Sequence, residues 1–110
     1  MTEFTNESNI TTIIAETRPT VVIYYAKWCM PCKSISQTLT NLEPLFADDI
    51  AILAINVDEF PVIALEHNVR AVPTLQYYKN GALYLKESGF RTKDQLVRNI
   101  EALLAISVVQ

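Results

Sequence analysis

The stretch YYAKWCMPCKSI, residues 24–35, carries both cysteines of this 110-residue chain, Cys29 and Cys32, directly after an apolar run. The segment leading into it, TVVIYYA (Thr20–Ala26), is β-branched and aromatic with no polar alternation, which predicts a central strand buried on both faces. The segment leaving it, from Met30 to about Asn41, places Ile35, Leu39 and Leu42 on one stripe and predicts a helix that Pro44 bends or ends. Cys29 therefore falls where a strand ends and a helix begins. Unpaired backbone N–H groups and the helix dipole point at its sulfur there and favour thiolate over thiol. Lys27 and Lys33 flank it with positive charge. Pro31 suits the first helical turn, where its missing N–H is not needed, and it stiffens the loop. Cys32, one turn on, is expected deeper, beneath Cys29.

Outward from this junction the chain divides into short elements. Ile10, Ile13 and Ile14 fall at helical spacing within Asn6–Glu16, with Thr5 or Asn6 as cap, and Pro19 ends that helix. IAILAINVD (Ile50–Asp58) reads as a second buried strand. Val62–His67 is a short helix, with Asn68 suited to a left-handed stop. TLQYYKNGALYLKESG is two strands around Asn80-Gly81, the strongest short hairpin signal. Thr92–Ile106 is an amphipathic helix opened by a Thr92/Gln95 capping box, with Leu96, Ile100, Leu103 and Leu104 inward. The predicted order is α-β-α-β-α-β-β-α. A helix between two strands implies a parallel crossover, the hairpin adds an antiparallel edge, and helices on both faces account for the apolar strands.

Composition narrows the function. The length suits one domain over residues 1–110, burying roughly two thirds of its unfolded surface. A net charge of −3, with scattered Lys and Arg, gives no footprint for nucleic acid. No run reaches the ~18 apolar residues of a membrane helix. The opening MTEFTNESNI lacks the charged and apolar regions of a secretory signal, so a cytoplasmic setting is expected, where thiols stay reduced.

Four uses of Cys29 and Cys32 remain open on these grounds. A structural zinc needs four ligands, and beyond the two thiols there is one histidine, His67, unless a carboxylate or a second chain contributes. A structural crosslink closing a two-residue loop removes little entropy from the unfolded chain. An inert buried pair is the third use. Redox exchange is favoured, because strand, C-x-x-C and helix occur in that order. In that use the more exposed sulfur attacks a partner's disulfide and the deeper one resolves the mixed disulfide.

WCMPCK (Trp28–Lys33) resembles the W-C-G-P-C-K motif of the thioredoxin family, with Met30 where glycine is usual. NVD (Asn56–Asp58), VRAVPT (Val69–Thr74), KNG (Lys79–Gly81) and SGF (Ser88–Phe90) match further family motifs in order, without insertions, over almost the whole chain. The resemblance implies the thioredoxin fold, an α/β architecture with a central mixed sheet of four to five strands and four flanking helices. It implies a cis peptide bond before Pro73. It implies reduction of protein disulfides through a reversible Cys29–Cys32 couple, Cys29 as nucleophile and Cys32 as resolving thiol, with no bound cofactor. The partners implied are disulfide-containing proteins and, as electron donor, a flavin-containing NADPH-dependent thioredoxin reductase; the chain itself is expected to be a monomer. No Gly-rich dinucleotide fingerprint is present, so NADPH binding by this chain is not expected. Trp28 would shield the site and border the docking surface, the Val72 backbone would pair with substrate as an added strand, and Gly89 would let its loop approach the partner. By the same resemblance Pro73 would keep a backbone N–H away from the sulfurs and so limit adventitious metal binding.

Two departures bear on mechanism. The family's buried aspartate, thought to accept the proton of the resolving cysteine, is Ile23 here, and its lysine partner is Ala54. Loss of both leaves apolar core rather than an uncompensated charge. Cys32 then needs another base, water or a leaving thiolate, and slower resolution is expected, with Ile23→Asp plus Ala54→Lys speeding turnover. Met30 puts an oxidisable apolar side chain beside the nucleophile, which either selects apolar partners or does nothing. Gln37 replaces a kink-forming proline, so the bend is expected to move toward Pro44.

The remaining polar and aromatic residues read structurally. His67 belongs at a helix end, and Tyr24, Tyr25, Tyr77 and Tyr78 belong in the sheet. Arg70 and Arg91 either join Lys27 and Lys33 in a positive rim or are solvated surface, and the tail ALLAISVVQ is the last helical turns plus a frayed end. The leading function is a cytoplasmic reductase. Its rivals are an oxidant or isomerase of the same fold, and an adaptor that binds through Trp28, Val72 and Gly89 with weak or no turnover.

Overall fold

In the computed structural model, which describes residues 1–6, 8–15 and 18–106, the two apolar runs become neighbouring inner strands of one mixed sheet. The elements in chain order are β1 (Thr2–Glu3), α1 (Ile10–Ala15), β2 (Thr20–Tyr25), α2 (Met30–Phe46), a 3-10 turn (Ala47–Asp49), β3 (Ala51–Asn56), α3 (Pro61–Glu66), β4 (Thr74–Lys79), β5 (Ala82–Ser88) and α4 (Lys93–Ala105). The sheet order is β1-β3-β2-β4-β5. β1 and β2 run parallel to β3, while β4 pairs antiparallel with β2 and with β5.

Helices cover both faces, which is why β2 and β3 lack a polar side. Ile35, Leu39 and Leu42 of α2 and Leu96, Ile100 and Leu103 of α4 pack on Val21, Ile23, Ile52, Ala54, Leu75 and Tyr77. On the opposite face α1 and α3 meet Val22, Tyr24, Leu53, Ile55 and Tyr78. Alternate residues of each strand serve opposite cores, as the pleat requires.

Local chemistry sets the boundaries. Asn80 and Gly81 adopt φ of 53° and 80°, the positive pair that a two-residue hairpin turn demands. Asn68 takes φ 59° just after α3, the left-handed stop expected of it. The Thr92/Gln95 capping box forms in both directions.

Two expectations are corrected, and two features were not foreseen. β1 was not foreseen: two polar residues have no periodicity, and the pairing is fixed by Phe4, whose N–H donates to the Ala54 carbonyl at 2.8 Å and whose ring stands edge-on to Phe60. α1 begins at Ile10, because the Asn9 side chain, rather than that of Thr5 or Asn6, accepts the Thr12 N–H at 3.2 Å. Glu16, the expected end of that helix, lies outside the described residues, as do the last four residues of the tail. α2 runs past Asn41 to Phe46, with Pro44 inside its last turn. The β4–β5 pairing steps from Tyr77–Leu85 to Tyr78–Leu83, so Tyr84 is an unpaired bulge.

Candidate active site

β2 and β3 are parallel neighbours, so the loops that follow them emerge at the same end of the sheet. Cys29 sits in the first of these loops as N-cap of α2, in extended conformation, with Pro31 in the first helical turn. Cys29 and Cys32 are joined as a disulfide, their Cα atoms 5.3 Å apart. The Cys32 N–H points at Cys29 Sγ at 3.3 Å. This is one of the unpaired donors of the helix start, and it favours negative charge on that sulfur.

The sulfurs are less open than the sequence suggested. Cys29 is 5% exposed and Cys32 is 1% exposed, so the order is the expected one but the difference is small. The reason is packing: Ala26, Tyr25, Val57 and Val72 close around the pair. Trp28 and Met30, by contrast, are 71% and 67% exposed. Trp28 is nevertheless fixed, since its indole N–H donates to Asp58 at 3.1 Å. Asp58 is itself held by Asn56, whose buried side-chain oxygen accepts the N–H groups of Asp58 and Glu59 at 2.9 and 3.3 Å. The parallel β2–β3 topology, which brings the two loops together, was the available signal for this Trp28–Asp58 contact.

Opposite the cysteines, the Val72–Pro73 peptide bond is cis. Pro73 is tied down from two sides. Its carbonyl accepts the Gly89 N–H at 2.9 Å, and Thr74 Oγ1 donates to the Ala71 carbonyl at 2.6 Å and meets Ser88 Oγ at 3.0 Å. Gly89 has φ 94°, a conformation open to glycine, and there is room beyond its missing Cβ. Among the described residues no hydrogen bond engages the Val72 amide or carbonyl. Trp28, Val69, Arg70, Ala71 and Val72 border a shallow groove of about 220 Å³.

Lys27 and Lys33 are exposed at the start of α2, and both line a second, larger groove of about 550 Å³ behind Cys32. Glu3, Tyr25 and Ala54 line the same groove, and the Tyr25 hydroxyl donates to the Glu3 carboxylate. Burial first, then the Glu3 contact, pushes the Tyr25 phenol well above its ordinary value. Ile23 and Ala54 lie opposite each other on β2 and β3, 0% and 1% exposed, and both belong to the core beneath α2. Arg91 is not part of a rim around Cys29: it is bound to Glu87 at 2.8 Å and to the Phe90 carbonyl. His67 is the C-cap of α3, and its carbonyl accepts from buried Gln76 at 2.9 Å. Among the described residues no group of three His, Cys, Asp or Glu side chains could hold a metal ion, and no helix is long and apolar enough to cross a membrane.

The family model described as thioredoxin matches residues 1–102. The chain is 30% identical to a thioredoxin of Acidithiobacillus ferridurans, covering 90% of this chain and 92% of that one. It is 34% identical to the chloroplastic thioredoxin M-type of Spinacia oleracea over 91% of this chain, and it spans 56% of that protein's length. The crystal structure of oxidised mitochondrial thioredoxin 3 from Saccharomyces cerevisiae superposes with a TM-score of 0.81 at 33% identity, covering 93% of this chain and 94% of the other. The chain belongs to the thioredoxin family of thiol–disulfide oxidoreductases, which work through a redox-active cysteine pair without a bound cofactor, and Cys29–Cys32 is that pair.

Proposed function

We propose that residues 1–110 form one thioredoxin domain that reduces disulfides of other proteins, with Cys29 as nucleophile and Cys32 as resolving thiol. The observation that carries this reading is the Cys29–Cys32 pair at the start of α2, with a helix-terminal N–H aimed at Cys29 Sγ and a bare Val72 backbone beside it. The Cys29 thiolate attacks one sulfur of the substrate disulfide, and the other sulfur leaves as thiolate. Cys32 then attacks Cys29 Sγ, releasing the second substrate sulfur and closing the Cys29–Cys32 bond. Two electrons from a thioredoxin reductase, a flavoprotein drawing on NADPH, return the pair to dithiol. The substrate peptide docks as an added strand on Val72, between Trp28 and the Gly89 loop, with Pro73 shaping the floor; Met30, Pro31 and Lys33 shape the rim. Such a cycle serves electron transport and redox homeostasis in a reducing compartment, for which the cytoplasm is proposed; relatives include chloroplastic and mitochondrial proteins.

Equilibration of the pair against glutathione tests the direction of flow. A potential near roughly −270 mV is expected of a reductase, whereas a value above about −200 mV would make the protein an oxidant or isomerase. One observation favours a second reading. Ile23 and Ala54 leave apolar core beneath α2, which an adaptor without turnover tolerates. Cys32→Ser separates the two, since an enzyme accumulates mixed disulfides with its substrates and an adaptor binds as before.

A further inference from the structure

Resolution of a mixed disulfide requires Cys32 to lose a proton, and Cys32 is 1% exposed. Ala54 of β3, which lines the same groove as Cys32, stands in one row of the sheet with Ile23 of β2, and neither can take that proton. The same row continues one strand further, because β1 pairs Glu3 with Ala54. Residues level with one another on adjacent strands project from the same face. Ile23 and Ala54 face α2, so Glu3 also leaves the sheet toward α2. The methyl of Ala54 leaves space between them: the groove of about 550 Å³ is lined by Glu3, Tyr25, Ala54 and Cys32 together.

From this juxtaposition we propose that Glu3 is the proton acceptor for Cys32 when the mixed disulfide is resolved, reached through water in the open groove and held in place by the Tyr25 hydroxyl. The proposal rests on the oxidoreductase reading above. The other groups lining the groove do not qualify. Lys27 and Lys33 carry ammonium groups, which have no acceptor, and Ser36, Gln37 and Thr40 are neutral. Tyr25 stays protonated, since burial and then Glu3 raise its phenol, so it can orient the carboxylate but not end the transfer. In the step itself, Cys32 Sγ–H yields its proton to the Glu3 carboxylate and its electron pair attacks Cys29 Sγ. The bond from Cys29 Sγ to the substrate sulfur breaks, the substrate leaves as thiolate, and Glu3 later returns the proton to solvent.

The test is a stopped-flow reaction of the reduced protein with dithiobis(nitrobenzoate). The first thionitrobenzoate released reports attack by Cys29, and the second reports resolution by Cys32. Glu3→Gln still accepts the Tyr25 hydrogen bond but is no base; it is expected to slow the second phase about tenfold or more and leave the first unchanged. The pH profile of the second phase is expected to differ between wild type and variant, while that of the first is not. The groups facing this site are Tyr25 on β2, Lys27 and Lys33 at α2, Glu59 beyond β3, and the Met1 amino group, which is paired with Glu43. Glu3→Asp, which keeps the base, is expected to recover most of the rate. Equal second phases in wild type and Glu3→Gln from about pH 5 to about pH 9 would overturn the proposal. So would a slowing of both phases that Glu3→Asp fails to correct, the mark of a structural role. A wild-type protein that shows neither phase would overturn the oxidoreductase reading, and this inference with it.

Discussion

Tyr24 is fully buried on β2, and among the described residues its hydroxyl has no hydrogen-bond partner. An unpaired buried hydroxyl is a net cost, because the water it gave up is not replaced. Tyr24→Phe keeps the ring and removes the orphan oxygen, so urea unfolding should show a gain of about 1 kcal/mol. A loss of that size would mean the hydroxyl has a partner. At this scale the sequence was readable where chemistry is local. Cys29, Pro31 and Cys32 announce themselves, and Asn68 and Asn80-Gly81 take the positive φ their residue types suggest. It was not readable where a role depends on a neighbour far along the chain. Nothing in Asp58 says that it will hold Trp28, and nothing in Glu3 says that it will stand level with Ala54.

α4 shows how much of an element is written in its own residues. Thr92 Oγ1 accepts the Gln95 N–H at 3.2 Å, and the Gln95 side chain accepts the Thr92 N–H at 2.9 Å. Thr92→Ala removes one half of this exchange and should cost about 1 kcal/mol in a thermal or urea melt. An unchanged midpoint would show that packing of Leu96, Ile100 and Leu103 alone fixes the helix. The other end of α4 was illegible. Lys79, from the hairpin, donates to the carbonyls of Leu103 and Leu104 at 3.2 and 3.0 Å, a contact that exists only once β4 and α4 have met. β1 was illegible for the opposite reason, being too short for any pattern. The bulge at Tyr84 depends on how β5 twists against β4, which alternation in either strand does not encode.

For the molecule as a whole, buried tyrosines govern behaviour in alkali, and Tyr24 and Tyr77, on opposite faces of the sheet, are the two most deeply buried. Burial is the leading cause that raises the phenols of Tyr24 and Tyr77 well above their ordinary value of 10.0; the charge of Tyr78 adds to it for Tyr24, while for Tyr77 a hydrogen bond from Asn99 opposes it and Glu87 adds to it. Below pH 10.0 both the folded and unfolded chains keep these protons, and the shifts have no effect on stability. Above it the unfolded chain releases protons that the folded chain retains, so stability falls as pH rises. The slope is at most about 1.4 kcal/mol per pH unit for each residue. Urea midpoints should therefore be level below pH 10.0 and drop above it, and in Tyr24→Phe the drop should shrink. A midpoint indifferent to alkali would contradict the burial of these hydroxyls. Helices on both faces were legible from the apolar strands alone, since an unalternating strand needs two covers.

The shortness of β1 couples chemistry to fraying. Its two residues are secured by Phe4 and by one edge of pairing, so this is the strand that local opening releases first. Each opening would carry Glu3 away from Ala54 and withdraw the carboxylate from the groove. Anything fused ahead of Met1 pulls on that same strand. An affinity tag or carrier placed there would alter turnover without touching either cysteine.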